Sequence, residues 1–214
     1  MKRVFAVLFS AGLATTVAAQ NPTAVIHTSD GDITIELLKD KAPKTVENFI
    51  GLSNGKKTWT DPKSGEVVNG RPLYNGTIFH RTIDGFMIQG GDPMGNGMGG
   101  PGYRFANEDS DEKFDKPGIV AMANAGRDTN GSQFFITVAP YPSLNGGYTI
   151  FGKVTSGMDI VNKIVKKPTG PQDRPLQPTV IKNIDIIEPG AAAAPAKDDH
   201  KSSETAAGDD QTSK

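Results

Sequence analysis

Apolar and polar positions alternate along residues 24–38, AVIHTSDGDITIELL, where Ile33, Ile35 and Leu37 are interleaved with Asp32, Thr34 and Glu36. A period of two predicts strands with one buried face and one wet face. Asp30-Gly31 falls between the two halves of the run and predicts a two-residue hairpin turn. The period then changes. In residues 43–54, PKTVENFIGLSN, Val46, Phe49 and Ile50 recur at helical spacing, Pro43 suits a first helical position, and Asn54-Gly55 stops the pattern. A second helix is predicted over 156–166, with Met158, Val161 and Val165 along one side, Ser156 as its cap and Asp159 at the capping-box position.

Between and after these helices come short apolar runs at 77–83, 85–91, 118–125, 133–139, 148–154 and 179–187, each bounded by turn residues. Residues 56–76 are polar with scattered Gly and Pro, and predict a long surface loop that holds Trp59, the only tryptophan. Many short strands with only two helices predict a β-rich, all-β domain closed into a barrel, because closure removes the exposed sheet edges. No internal repeat of 20–50 residues is visible.

Composition narrows the chemistry. Gly 25 and Pro 15 in 214 residues agree with a turn-rich chain. Lys+Arg 23 against Asp+Glu 24 leaves a net charge of −1, without the basic excess of a nucleic-acid binder. The absence of cysteine excludes disulfides, thiol catalysis and Cys-ligated metals. His27, His80 and His200 are not at metal-ligand spacing, so neither a metal nor another cofactor is expected.

Both ends read as something other than fold. Lys2 and Arg3, an apolar stretch from Val4 to Val17 and the small-residue site Val17-Ala18-Ala19 form a secretory signal over 1–19. The stretch is short for a membrane span, so no stable membrane insertion is expected after cleavage. The folded domain is then 20–188. Residues 189–214 contain no large apolar side chain, and such a segment cannot offset the entropy of ordering, so a disordered tail is expected.

Several motifs dissolve on inspection. The run 95–100, GNGMGG, contains a formal G-x-G-x-x-G, but Pro93 precedes it and Pro101-Gly102 follows, so no helix opens at its last glycine to hold a phosphate; a flexible loop is expected. No G-x-S-x-G occurs, Ser132 lies in a polar turn, and His80 sits inside an apolar strand pattern, where a hydrogen-bonded structural histidine is expected. Asn75-Gly76-Thr77 and Asn130-Gly131-Ser132 match the glycosylation sequon, a triplet common by chance.

Two stretches remain. Residues 79–92, FHRTIDGFMIQGGD, and 121–137, AMANAGRDTNGSQFFIT, combine one strand arginine, amide side chains and apolar residues, without a nucleophile. That inventory suits binding and twisting an amide. It suits equally a core strand carrying a surface arginine.

On these residues the chain resembles a known family. FHR…GFMIQGGD, the NGMGG loop at 96–100, MANAG…TNGSQFFIT and TIFGKV are similar to the motifs of the cyclophilin-type peptidyl-prolyl cis–trans isomerases, in the family's order, over about residues 23–187. The resemblance implies an eight-stranded antiparallel β-barrel closed by two helices, with the active groove on its outer face. It implies that Arg81 is the catalytic arginine, that Gln89 helps orient it, and that Phe86, Met87, Phe135 and Leu144 form the pocket for the proline ring. Asn124 would hold the residue before the proline through its backbone, flanked by Ala123 and Ala125, with Gln133 on the groove border and Tyr148 closing the pocket edge. Tyr148 stands where many members carry His, Ser143 where many carry Trp, Arg127 where a Pro is usual, and Met98 where the loop has Thr.

What the resemblance implies about mechanism agrees with amide physics. Rotation about the peptide bond meets a barrier of about 18–20 kcal/mol, and Xaa-Pro isomers exchange over roughly tens to hundreds of seconds. At the twisted transition state the prolyl nitrogen regains a lone pair, and a fixed donor such as Arg81 binds that state better than the planar amide. The expected partners are proline-containing unfolded or flexible polypeptides, met as a monomer in a periplasm or outside the cell. Cyclosporin is expected to bind weakly because Ser143 supplies no indole. A non-catalytic proline-peptide-binding chaperone is the alternative; it would keep Phe86, Met87 and Phe135 without requiring Arg81.

The tail makes the first test. A chain of residues 20–188 is expected to melt within about two degrees of the 20–214 form and to be equally active, because termini without buried contacts add little stability. Differential scanning calorimetry of both forms checks this, and a larger drop would mean that the tail docks on the domain.

Overall fold

The computed structural model describes residues 20–189. The expected signal, 1–19, and all but the first residue of the expected tail lie outside the described residues. The chain runs β1 (Thr23–Thr28), β2 (Asp32–Leu37), α1 (Pro43–Ser53), β3 (Trp59–Thr60), β4 (Val67–Val68), β5 (Arg81–Ile83), β6 (Met87–Gly90), β7 (Ile119–Met122), β8 (Phe134–Thr137), β9 (Ile150–Ser156), α2 (Met158–Val165) and β10 (Ile181–Ile187). Eight strands form one antiparallel sheet in the order β10-β1-β2-β9-β7-β8-β6-β5, and β3 pairs with β4 alone. No described helix is long and apolar enough to cross a membrane.

The sheet curls until its edges meet, but β5 and β10 share no ladder. They are joined by residues 77–79 and 179–181: Ile78 bridges Val180, the Phe79 amide donates to the Thr179 carbonyl at 3.0 Å, and the Ile181 amide donates to the Thr77 carbonyl at 2.8 Å. This short junction is how the expected closed barrel is completed.

The interior is aromatic. Phe49 from α1 lies 5.1 Å from Tyr74, 5.6 Å from Phe134 and 5.3 Å from Phe151, ring centre to ring centre. Val46 and Leu52 of α1, Val161 and Ile164 of α2, and the inward residues of β1 and β2 complete this core. Each fully buried side chain of this size contributes about 1.5–3 kcal/mol relative to exposure.

Several local expectations are corrected. The β1–β2 turn is wider than two residues: His27 pairs with Asp32, and Thr28 Oγ1 accepts from the Asp30 amide at 3.0 Å and donates to the Gly31 carbonyl at 2.6 Å. Ser156 ends β9 rather than capping α2. The cap is Gly157, at φ +87°, where a Cβ would lie 2.3 Å from the Asp32 carbonyl oxygen. Only glycine meets both demands. The 56–76 segment is not merely a surface loop. Trp59, Leu73 and Tyr74 are buried in the core, with Trp59 Nε1 donating to the Arg71 carbonyl at 3.0 Å. The sparse apolar residues of that segment were masked by their polar neighbours. Helix α1 has no side-chain cap of its own; Glu108, far along the chain, accepts from the amides of Lys44 (3.0 Å) and Thr45 (2.7 Å).

Near the junction, Asp30 ties three segments. Its carboxylate accepts from Lys167 and from Thr179 Oγ1 (2.7 Å) and pairs with Lys163 at 3.2 Å. Burial alone would raise its pKa, but the hydrogen bonds to Lys167, Thr179 and Lys163 outweigh it and hold the group down to about 2, below the ordinary 3.8. The folded state therefore binds fewer protons than the unfolded chain between these values, so the stabilisation is complete above about pH 4–5 and fades as pH falls through 2. Allowing for solvent at the Lys163 side, it amounts to about 1–2 kcal/mol. Asp30→Asn is expected to lose that much at pH 7 and to show a correspondingly shallower loss of stability between pH 5 and 2, measured by urea denaturation across the range.

Candidate active site

Strands β6, β7 and β8 are apolar on both faces, and the period of two sorts their side chains into two cores. Ile88, Phe134, Ile136, Val120 and Met122 point inward to the aromatic core. Met87, Phe135, Ile119 and Ala121 point outward and form a second cluster with Leu38, Phe114 and Ile150. Phe86, Ala123, Tyr141, Leu144 and Tyr148 pack around it half-buried, as the rim of an apolar surface patch. Phe135 stacks on Phe114 at 5.9 Å with planes 9° apart, and meets the edge of Tyr148 at 5.4 Å. Phe86 lies 4.5 Å from Tyr141, whose hydroxyl donates to the Gly85 carbonyl at 2.8 Å.

Register then sets polar groups beside the patch. Arg81 pairs with Gln89, Gln89 with Phe135, and Phe135 with Ala121, so one row across four strands passes from cation to amide to aromatic ring to a small residue. Arg81 Nη1 donates to Gln89 Oε1 at 3.5 Å, and Gln89 Nε2 donates to Gln133 Oε1 at 3.0 Å. Gln133 Nε2 in turn donates to the carbonyls of Gly97 (3.0 Å) and Gly99 (2.8 Å). On its other side Arg81 Nε reaches Asp173 Oδ2 at 3.4 Å.

Asn124 leaves β7 with its side chain turned back, Nδ2 donating to the Gly147 carbonyl at 3.0 Å. The Ala123 amide is spent on the Gln133 carbonyl and the Ala125 amide on Thr129 Oγ1, both at 2.9 Å. The Asn124 main-chain N–H and C=O take no main-chain partner among the described residues and remain available to a peptide. Beside the apolar patch lies a cleft of about 700 Å³, lined in part by Gln89 and Gln133 and continuing past Met98 and Ala123–Ala125. Met98 stands 84% exposed at its edge, and Ser143 is exposed next to Leu144.

The glycine-rich run is a loop, but an anchored one rather than a free one. The buried Asp92 carboxylate accepts from the amides of Met94 (2.8 Å), Asn96 (2.9 Å) and Gly97 (2.6 Å). A Cβ at Gly99 would lie 2.0 Å from Asp92 Oδ1, so this loop closes only with glycine there. The amides from Met94 to Met98 are thus already occupied within the loop. Buried Ser132 donates to the Gly91 carbonyl at 2.7 Å and is no nucleophile. His80 is buried as expected; neither ring nitrogen reaches full hydrogen-bond geometry, and the main chain of Ile78 is the polar neighbour it meets. Burial holds its pKa below the ordinary value against the opposing pull of Asp92, which keeps the imidazole neutral.

The structure thus gathers every sequence-predicted site residue onto one outer face: Arg81, Gln89 and Gln133 in the polar network, Phe86, Met87, Phe135, Leu144 and Tyr148 in or around the apolar patch, and Ala123, Asn124 and Ala125 along the cleft. Sequence reasoning missed Phe114 and Asp173. Phe114 stands in an acidic stretch without any period, and Asp173 in a Pro-flanked turn.

Comparison with known proteins follows the same outline. The profile of the cyclophilin type peptidyl-prolyl cis-trans isomerase/CLD family matches residues 23–186. Peptidyl-prolyl cis-trans isomerase B of Streptomyces anulatus is 52% identical over 174 residues, 79% of this chain and 98% of that protein. Peptidyl-prolyl cis-trans isomerase A of Mycobacterium tuberculosis is 53% identical over 167 residues, covering 77% and 91%. A crystal structure of a cyclophilin type isomerase from Cryptosporidium parvum superposes with a TM-score of 0.67 at 39% identity, over 79% of this chain and 98% of that one. The same Cryptosporidium protein solved in the presence of the dipeptide ala-pro gives a TM-score of 0.65. With a matched profile, close relatives of nearly full length and a shared fold, this chain belongs to the cyclophilin-type peptidyl-prolyl cis–trans isomerases, a family of enzymes.

Proposed function

We propose that this chain isomerises Xaa-Pro bonds in exported polypeptides and so assists their folding, with Arg81 as the catalytic residue. The observation that carries the reading is the row Arg81–Gln89–Phe135, which sets a permanently charged fork of donors beside an apolar pocket. The pocket of Phe86, Met87, Phe135 and Leu144 holds the proline ring. Asn124 pairs with the backbone of the preceding residue, between Ala123 and Ala125. With both sides of the bond held, the intervening carbonyl swings while the ring stays fixed.

As conjugation is lost, the prolyl nitrogen becomes a hydrogen-bond acceptor, and an Arg81 N–H aimed at it stabilises the twisted amide more than the planar one. The surrounding amides are neutral and already bonded to one another, so they reorganise little as charge shifts. No bond is made or broken, and no proton changes owner. The leader-like residues 1–19 support export, to a periplasm or to the outside of the cell.

Arg81→Ala is expected to lower kcat/KM about 10²- to 10³-fold, roughly 2.7–4 kcal/mol, with little change in melting temperature, since a half-exposed charge adds little stability. A protease-coupled assay on a short Xaa-Pro peptide measures it. Full activity in the variant would overturn the assignment of Arg81, whereas an unaltered chain without activity would favour a proline-peptide binder.

Ser143 generates a second test. Cyclosporin should bind poorly, because a missing buried aromatic and its N–H cost about 2–4 kcal/mol, roughly 30- to 1000-fold in affinity. Substrate turnover should be unaffected, and Ser143→Trp should restore much of the sensitivity when both forms are titrated in the same assay. Tight inhibition of the unaltered chain would mean that another ring, such as Tyr141 or Tyr148, supplies the contact.

A further inference from the structure

Arg81 has a second partner that lies outside the groove. Asp173 comes from the segment between α2 and β10, where a single tight turn, Pro171–Asp173, carries Gln172 at φ +61° and Asp173 at φ +57°. Two successive side-chain-bearing residues in the left-handed region are rarely adopted without external support. The support is visible. The Gly170 amide donates to the Arg174 carbonyl at 2.8 Å and the Leu176 amide to the Pro168 carbonyl at 2.9 Å, closing the loop on itself. Arg174 Nη1 donates to the Gly95 carbonyl, which fastens this loop to the one wrapped on Asp92. The Asp173 carboxylate is thereby presented to Arg81 from a rigid frame.

We propose that Asp173 is a positioning residue for Arg81, a proposal that rests on the catalytic reading of Arg81 given above. A guanidinium has five N–H donors in a plane. Asp173 takes the Nε edge and Gln89 takes one Nη1 donor, so rotation of the fork is restrained on two sides. The remaining Nη donors are those free to turn toward a bound amide. The Arg81 and Asp173 side chains are 42% and 47% exposed, so water screens the pair and it adds little to stability. What it supplies is orientation, which matters where a donor must meet a lone pair that exists only in the twisted state.

The test uses the full chain and the Xaa-Pro peptide assay, with kcat and KM measured separately. Asp173→Asn keeps the shape and tolerates the positive φ but removes the charge. It is expected to lower kcat about 3- to 10-fold with KM changed less than about twofold, the signature of an interaction that matters in the transition state. In an Arg81→Lys background, where no Nε–H fork exists, the same substitution should change kcat less than about twofold. Asp173→Gly, which relieves the backbone, should show the same loss of kcat with melting within about two degrees of the parent. Unchanged kcat in Asp173→Asn, or an equal loss in both backgrounds, overturns the proposal. So does a collapse of melting temperature in both Asp173 variants, which would assign the residue to the fold. Failure of the underlying reading is distinct: it appears as full activity in Arg81→Ala, whereas an inactive Arg81→Ala beside a fully active Asp173→Asn defeats only the positioning role.

Discussion

Burial of both faces of β6, β8 and β7 is the constraint on which the rest of the molecule depends. A curled sheet needs only its inner face to fold, and the aromatic core around Phe49, Phe134 and Phe151 serves that need. Here much of the outer face is apolar as well, and among the described residues neither α1 nor α2 contributes to the cluster on it. The loops bearing Phe114, Tyr141 and Tyr148 cover it only in part, and the uncovered remainder is the apolar patch. Exposed apolar surface of this kind is tolerated where it binds something.

The polar half of the site follows from the same sheet. Because facing residues on adjacent antiparallel strands are fixed by register, one row delivers Arg81, Gln89 and Phe135 side by side without a loop having to place them. Loops then lock the row from both ends. Gln133 is held by the carbonyls of the glycine loop, that loop is wound on buried Asp92, and Arg174 fastens the Asp173 turn to it. The reaction as proposed, with one well-aimed donor and no proton transfer, is served by such a frame, since a preorganised donor does not have to be rearranged as the amide twists. The neutral, buried His80 beneath the loop adds no competing charge.

The stabilising contacts outside the sheet are mostly long-range. Glu108 caps α1 across more than sixty residues, and Asp30 joins the first turn to α2 and to Thr179 at the barrel junction. The closing bonds between 77–79 and 179–181 link segments a hundred residues apart. Non-local pairings of this kind slow folding, because loop entropy is lost before the contacts form. A chain of this topology is therefore held together by its ends.

The sequence by itself determined the class of the fold, the two helices, the positions of most strands and the two motif stretches that the fold gathers on one face. Those features are written locally: a period of two or of 3.6 is imposed by backbone geometry, and the groove motifs are continuous runs such as GFMIQGGD. What it could not show was decided by contacts between distant segments. The β1–β2 turn widened because Thr28 closes it, and Gly157 displaced Ser156 as the cap because the Asp32 carbonyl leaves no room for a Cβ. Trp59 and Tyr74 entered the core from a stretch too polar to show a pattern. Phe114 and Asp173 joined the site only because loops from acidic and proline-flanked stretches fold back beside the strands. A side chain's periodicity shows which way it points, but only the folded chain shows what it meets there.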